Sequence, residues 1–322
     1  MKRFQVSGFK FQVSGFRFQV SSLLALACLV FSGCSTTKEQ EEYGTKVLMI
    51  GNSFSICLLN QLPQIAADRG IELDLASLYI GGCSLKQHWE NVERDGEEGF
   101  RPYQFGRNRF GAYTQGSANI CEALRMAKWD IVTIQQASHE SWRPGTYREY
   151  GEKLLAKIRE LAPQAMIYVQ ETWSYTPWDR RLGEWGLSQE EMYGRLHDAY
   201  AGFAQRHGIA IIPFGTAVQA WRRLKPVKYT ENSFGGDVVG GGKQDERDNF
   251  KRDVNGKWVP NCDVFHLNRR GEYFQALVWA KTIFGVDLTD LKYKPDFVND
   301  SDAKLMRDIA MGQGGTTGRV GK

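Results

Sequence analysis

Residues 45–55 read Thr45-Lys46-Val47-Leu48-Met49-Ile50-Gly51-Asn52-Ser53-Phe54-Ser55. A short β-branched and aliphatic run that stops at Gly, Asn and Ser predicts a buried strand ending in a tight turn, with a helix beginning just beyond it. That geometry can hold a serine at the edge of a sheet. Glycine turns the backbone without a Cβ clash, and a helix N-terminus after Ser53 would offer unpaired N–H groups to a developing oxyanion. Ser53 is therefore a candidate nucleophile. On local sequence alone, Asn52, Ser53 or Ser55 serves equally well as a helix cap.

A second stretch bears on that choice. Residues 261–271, Asn-Cys-Asp-Val-Phe-His-Leu-Asn-Arg-Arg-Gly, lead into an apolar helical pattern over residues 273–284. Asp263 and His266 stand three apart before that helix, close enough for a carboxylate to orient an imidazole through one ring nitrogen. Asp-x-x-His is common and also suits a surface pair that caps a helix. Here it occurs with a strand-end serine upstream, in the order Ser, Asp, His.

Gly51-Asn52-Ser53-Phe54-Ser55 after the first strand and Asp263-Val264-Phe265-His266-Leu267 before the last long helix together resemble the SGNH (GDSL-like) hydrolase superfamily. The likeness is to a lipoprotein branch described mainly as domains of unknown function, and it spans about residues 46–284. It implies an α/β fold: a three-layer α/β/α sandwich with a five-stranded parallel sheet, flavodoxin-like. It also implies ester or thioester hydrolysis without a metal or other cofactor. Ser53 would be the nucleophile, His266 the general base and Asp263 its orienting acid. Gly82, in Gly81-Gly82-Cys83-Ser84 after the second strand, resembles the glycine whose N–H joins that of Ser53 in the oxyanion hole. The third donor of the family is an Asn after the third strand, and here the chain departs from the pattern. Gln136 offers the same amide chemistry; a strict alignment would place Ser138 or His139 there instead.

Ahead of the first strand, residues 1–20 open with Lys2 and Arg3 and carry a seven-residue repeat starting at Phe4, Phe11 and Phe18. So short a repeat cannot form a solenoid and reads as a duplicated basic leader region. Residues 21–31 are apolar but shorter than the roughly 20 residues of a membrane span. They end at Ser32-Gly33-Cys34, a lipoprotein cleavage pattern. The expected division is a signal peptide (1–33), a polar tether (34–45), the hydrolase-like domain (46–290) and a C-terminal tail (291–322). Cys34 would carry a lipid anchor on an exported protein of the periplasm or the outer-membrane surface. An uncleaved anchor helix is the other reading.

Composition fits one globular domain, since α/β enzymes often exceed 200 residues in a single domain. The net charge of +4 includes the basic leader, and nothing in it points to nucleic acid. Outside the leader lie Cys57, Cys83, Cys121 and Cys262, which an exported protein can pair; their spacing fits no zinc motif. The five histidines form no His-Glu-x-x-His pattern, so no metal is expected.

Further strands are expected over residues 71–79, 130–136, 165–171 and 209–213. Helices are expected over 54–69 (interrupted near Pro63), 85–92, 117–128, 145–162, 188–207 and 214–224. Residues 100–116 read as an irregular excursion, residues 225–260 as a long surface loop beside His266, and residues 312–322 as partly disordered. The exit of the fourth strand is rich in aromatics. Loops at the carboxyl ends of parallel strands form binding crevices, so Trp173, Tyr175 and Trp178 are candidate platforms for a sugar ring; they equally suit a role covering the sheet edge. The expected function is a serine esterase removing small acyl groups, O-acetyl foremost, from carbohydrate. A non-catalytic surface glycan-binding lipoprotein and an O-acetyltransferase with the same triad are the alternatives. An α/β-hydrolase elbow fits less well, because position 55 is Ser where Gly-x-Ser-x-Gly needs glycine.

Overall fold

The computed structural model describes residues 44–230, 232–241 and 250–312. The leader, Cys34 and the tether through residue 43 lie outside the described residues, as do the last ten residues of the tail. A seven-stranded sheet runs in the order β4-β3-β2-β1-β5-β6-β7. Its strands are β1 (Thr45–Gly51), β2 (Leu73–Tyr79), β3 (Tyr103–Arg109), β4 (Ala112–Ala118), β5 (Ile131–Ile134), β6 (Met166–Gln170) and β7 (Ala210–Ile212). Five of them, β2-β1-β5-β6-β7, are parallel. The expected five-stranded sheet is thus enlarged to seven by the antiparallel β3–β4 pair, which occupies the stretch read as irregular. Polar side chains obscured β3: Asn108 and Arg107 sit where an apolar alternation was sought. Arg107 reaches back across the ladder to the fully buried Asp74 of β2, with Nε 2.7 Å from Oδ1, so the charge that masks the strand also attaches it.

The chain leaves β1 for β2 on one side and later places β5 on the other. Because βαβ crossovers are right-handed, that reversal sends successive helices to opposite faces of the sheet. On one face α1 (Leu58–Asp68), α7 (Phe214–Leu224), α8 (Arg269–Phe284) and α9 (Asp300–Gly312) pack together; on the other, α2 (Leu85–Glu93), α3 (Ile120–Arg125), α4 (Gly145–Leu161) and α6 (Gln189–His207). β1 is buried on both faces, which explains its unbroken apolar run. Pro63 lies inside α1 without ending it. Its missing N–H frees the carbonyl of Leu59, which accepts instead from the Asn108 amide of β3 at 3.4 Å.

α9 lies within the expected tail. Val298, Ala303, Met306, Ile309 and Ala310 are buried in the main core. A short α5 (Arg180–Trp185) and a hairpin of β8 (Phe250–Arg252) with β9 (Trp258–Pro260) were also unanticipated. Nor do the described residues of 225–260 form a simple surface loop. Phe234, Val238 and Val239 are buried, and Asp237 is buried against Arg222 of α7, 2.9 Å from Nη2. No disulfide joins Cys57, Cys83, Cys121 and Cys262, the cysteines among the described residues.

Candidate active site

β1 ends where the strand order reverses, the point at which an open α/β sheet parts its loops into a crevice. Beyond Gly51 the chain makes tight turns over residues 53–57, and α1 starts only at Leu58. The helix N-terminus expected directly after Ser53 is therefore several residues away, and neither Asn52, Ser53 nor Ser55 caps it. Asn52 instead closes its own turn, Oδ1 accepting from the Phe54 N–H at 3.0 Å, and Ser55 Oγ donates to the Asn52 carbonyl at 3.2 Å. Gly51 has no room for a side chain, since a Cβ there would lie 2.4 Å from Ser55 Oγ.

Ser53, half-buried, turns its hydroxyl to His266. Ser53 Oγ lies 2.7 Å from His266 Nε2, and His266 Nδ1 lies 2.5 Å from Asp263 Oδ2. The carboxylate facing Nδ1 fixes the proton on that nitrogen, which leaves the Nε2 lone pair for the serine hydroxyl. Asp263 Oδ1 also accepts the backbone N–H groups of Phe265 (2.8 Å) and His266 (2.7 Å). Burial alone would raise this carboxyl; the hydrogen bonds from the His266 ring and the two backbone N–H groups outweigh it and hold Asp263 below the usual carboxylate range.

The loop carrying this pair is held by its carbonyls. Asp263 O accepts from Gly241 N (3.1 Å), Val264 O from Thr176 Oγ1 (2.8 Å), Phe265 O from the Trp173 indole (2.8 Å) and His266 O from Gly240 N (2.7 Å). Two of the residues chosen as sugar platforms are thus part of the frame. Trp173 is 1% exposed and stacks on Phe54 at 4.0 Å; Tyr175 is fully buried and bonds Ser138 Oγ at 2.8 Å. They cover the sheet edge. Trp178 stays half-exposed, its ring against Phe250. With Pro260, Val264, Phe265 and Arg181 it lines a cavity of about 450 Å³ on the loop between Asp263 and His266. The Arg181 guanidinium lies 4.2 Å from the Tyr175 ring and 4.3 Å from that of Phe265.

Gly82 is exposed with φ +65°, a conformation suited to glycine. Its turn is tied to the Ser53 turn because Asn52 Nδ2 donates to Cys83 O at 2.9 Å. Neither the Ser53 nor the Gly82 N–H donates to any described residue. Gln136 does not join them. Its Oε1 accepts from Leu85 N (2.9 Å) and Ala137 N (2.8 Å), and its Nε2 donates to Thr146 Oγ1 (3.0 Å). The amide is consumed in joining the start of α2 to that of α4. Ser138 is buried against Tyr175, whereas His139 is exposed.

No sequence motif singled out the buried amides Gln135, Gln170 and Gln275 beneath the Ser53 turn. Their signal was the glutamine that follows or ends two apolar parallel strands, a place where hydrophobic side chains are usual.

A family profile described as a domain of unknown function, DUF4886, matches residues 46–313. The crystal structure of a DUF4886 family protein from Bacteroides uniformis superposes with a TM-score of 0.68 at 27% identity, covering 83% of this chain and 93% of that one. An SGNH hydrolase candidate from Slackia heliotrinireducens gives 0.47 at 20% identity, over 75% of this chain and all of that one. A family 3 carbohydrate esterase of Clostridium thermocellum gives 0.41 at 10%, over 75% and 96%. No curated protein sequence matches the chain. With the match extending over most of its length, including β1, the Asp263–His266 loop and α9, the chain belongs to the DUF4886 family.

Proposed function

We propose that this protein is a serine ester hydrolase that removes small acyl groups, O-acetyl foremost, from carbohydrate. The observation that carries the reading is the hydrogen-bonded line Ser53 Oγ, His266 Nε2, His266 Nδ1, Asp263 Oδ2 at the sheet's switch point, with the Ser53 and Gly82 N–H groups donating to no described residue. His266 takes the Ser53 proton as Oγ attacks the ester carbonyl. The Ser53 and Gly82 N–H groups hold the oxyanion. Collapse expels the sugar alkoxide, which receives the proton from His266 and leaves an acyl-serine. Water, deprotonated by the same imidazole, then releases the acid and restores Ser53. The half-exposed Trp178 and Phe265, which line the cavity beside the Asp263–His266 loop, support a sugar, whose apolar C–H faces pack on aromatic carbon. The Ser32-Gly33-Cys34 pattern supports export and a lipid anchor at the cell envelope. The glycan-binding alternative draws on one observation: with Gln136 engaged elsewhere, the oxyanion hole has two evident donors rather than three.

The test is labelling of the leaderless protein by an active-site serine phosphonate, with turnover of an activated acetyl ester in parallel. The expected result is modification of Ser53 that vanishes in His266→Ala, and a loss of turnover in Ser53→Ala of at least about 10³-fold. Full turnover by Ser53→Ala would overturn the mechanism. Glycan binding without labelling or turnover would favour the binder.

A further inference from the structure

Beneath the nucleophile turn, side-chain amides form a chain in which each donates to the next. Gln275 of α8 donates through Nε2 to Gln170 Oε1 (3.1 Å); Gln170, at the end of β6, donates to Gln135 Oε1 (2.6 Å). Gln135, just after β5, donates to Asn52 Oδ1 (2.6 Å), and Asn52 Nδ2 ends the chain on the carbonyl of Cys83, next to Gly82. The second hydrogens of Gln275 and Gln170 both go to one acceptor, the carbonyl of Phe54, at 2.7 and 2.9 Å. The Cys57 thiol and the Trp279 indole satisfy Gln275 Oε1 (2.9 Å) and Gln170 Oε1 (2.7 Å). Asn52, Gln135, Gln170 and Gln275 are each at most 1% exposed.

Four buried amides are costly unless each is paired, and here every amide nitrogen and oxygen of the four has at least one protein partner. The chain grips both neighbours of Ser53, Asn52 on one side and Phe54 on the other. It draws its anchors from three elements, β5, β6 and the helix that follows His266. Its last bond fixes the Gly82 turn against the Ser53 turn. Amides do this without bringing a charge under the nucleophile, which a carboxylate in the same place would.

We infer that Gln275, Gln170 and Gln135 are positioning residues of the esterase: they touch no substrate, but hold Ser53 against His266 and set the spacing of the Ser53 and Gly82 N–H groups. The inference rests on the esterase reading above.

The test uses Gln275→Glu and Gln275→Met. The ionised carboxylate of Gln275→Glu would present only oxygens to the Phe54 carbonyl and to Gln170 Oε1. Burial raises a carboxyl's pKa, so acidification returns a proton and with it one donor. Displacing a reacting group by about 1 Å can cost 10²-fold in rate. The expected result is therefore a kcat on an activated acetyl ester about 10- to 100-fold below wild type near pH 8, with KM changed less than about twofold. The ratio of Gln275→Glu to wild-type activity should climb as pH falls toward about 5.5, while Gln275→Met stays low throughout. Folded variants with wild-type kcat, or with no pH-dependent recovery in Gln275→Glu, overturn the inference. Wild-type protein that is not acylated at Ser53 overturns the esterase reading instead. The restraint is then decided by hydrogen exchange of residues 52–57. Faster exchange in Gln275→Met than in an equally destabilised Met306→Ala protein supports it, and equal exchange overturns it.

Discussion

Asp263 does more than orient an imidazole. With one oxygen on the His266 ring and the other on two backbone N–H groups, it shapes the loop that presents the His266 imidazole. Asp263→Asn keeps that shape only if its carbonyl faces the backbone, which turns an NH₂ toward Nδ1 and forces the wrong imidazole tautomer. The expected outcome is a kcat lower by about 10³- to 10⁴-fold with the fold intact, checked by ester turnover alongside circular dichroism. The pH dependence follows from the sign of the shift. Because the folded-state pKa of Asp263 is depressed, its stabilising contribution is present above the unfolded carboxyl value of about 4 and is lost as pH falls through the lower folded value. Activity should therefore show no limb from Asp263 near neutrality. At the same scale, Cys83 is excluded as a nucleophile: burial, reinforced by Glu90, pushes its thiol up to about 12.

Among the elements, the segment over residues 232–241 shows how a glycine-rich, polar stretch becomes part of the frame. Asp237 receives Arg222 Nε and Nη2 at 3.1 and 2.9 Å and the Tyr229 hydroxyl at 2.6 Å, and its own carbonyl accepts from Asn268 at the start of α8. This pins the backbone that donates through Gly240 and Gly241 to the Asp263–His266 loop. Breaking one side of a buried ion pair strands the other charge. Asp237→Ala should destabilise the protein by about 3–5 kcal/mol in urea unfolding, with Asp237→Asn milder. Periodicity could not reveal this, because the segment has none; what orders it is charge pairing to a distant helix.

At the scale of the whole molecule, α9 closes the face shared by α1, α7 and α8. Met306 is fully buried there, so Met306→Ala should cost about 2–5 kcal/mol, measured by urea unfolding. That role was illegible in a short, charged C-terminal sequence, where only the apolar spacing of Ala303, Met306, Ile309 and Ala310 marks a buried side. What the sequence determined by itself was local. Lys46 to Ile50 made a buried strand, Gly51 to Ser55 a turn, and Asp-x-x-His a carboxylate and imidazole within reach of each other; the positions of five strands followed from apolar runs alternating with helical patterns, and their parallel order from the family resemblance. Tertiary structure alone decided which side chains were free to act. Trp173, Tyr175 and Gln136 have the chemistry of a binding site, but packing spends that chemistry on the frame, while Gln135, Gln170 and Gln275 acquire a place under Ser53. The physical reason is that a buried polar group must find its partner wherever the fold provides one, and those partners lie 83 to 221 residues apart for the bonds that hold the Ser53 turn to Gln135, Gln170 and Gln275, beyond the range of any local pattern.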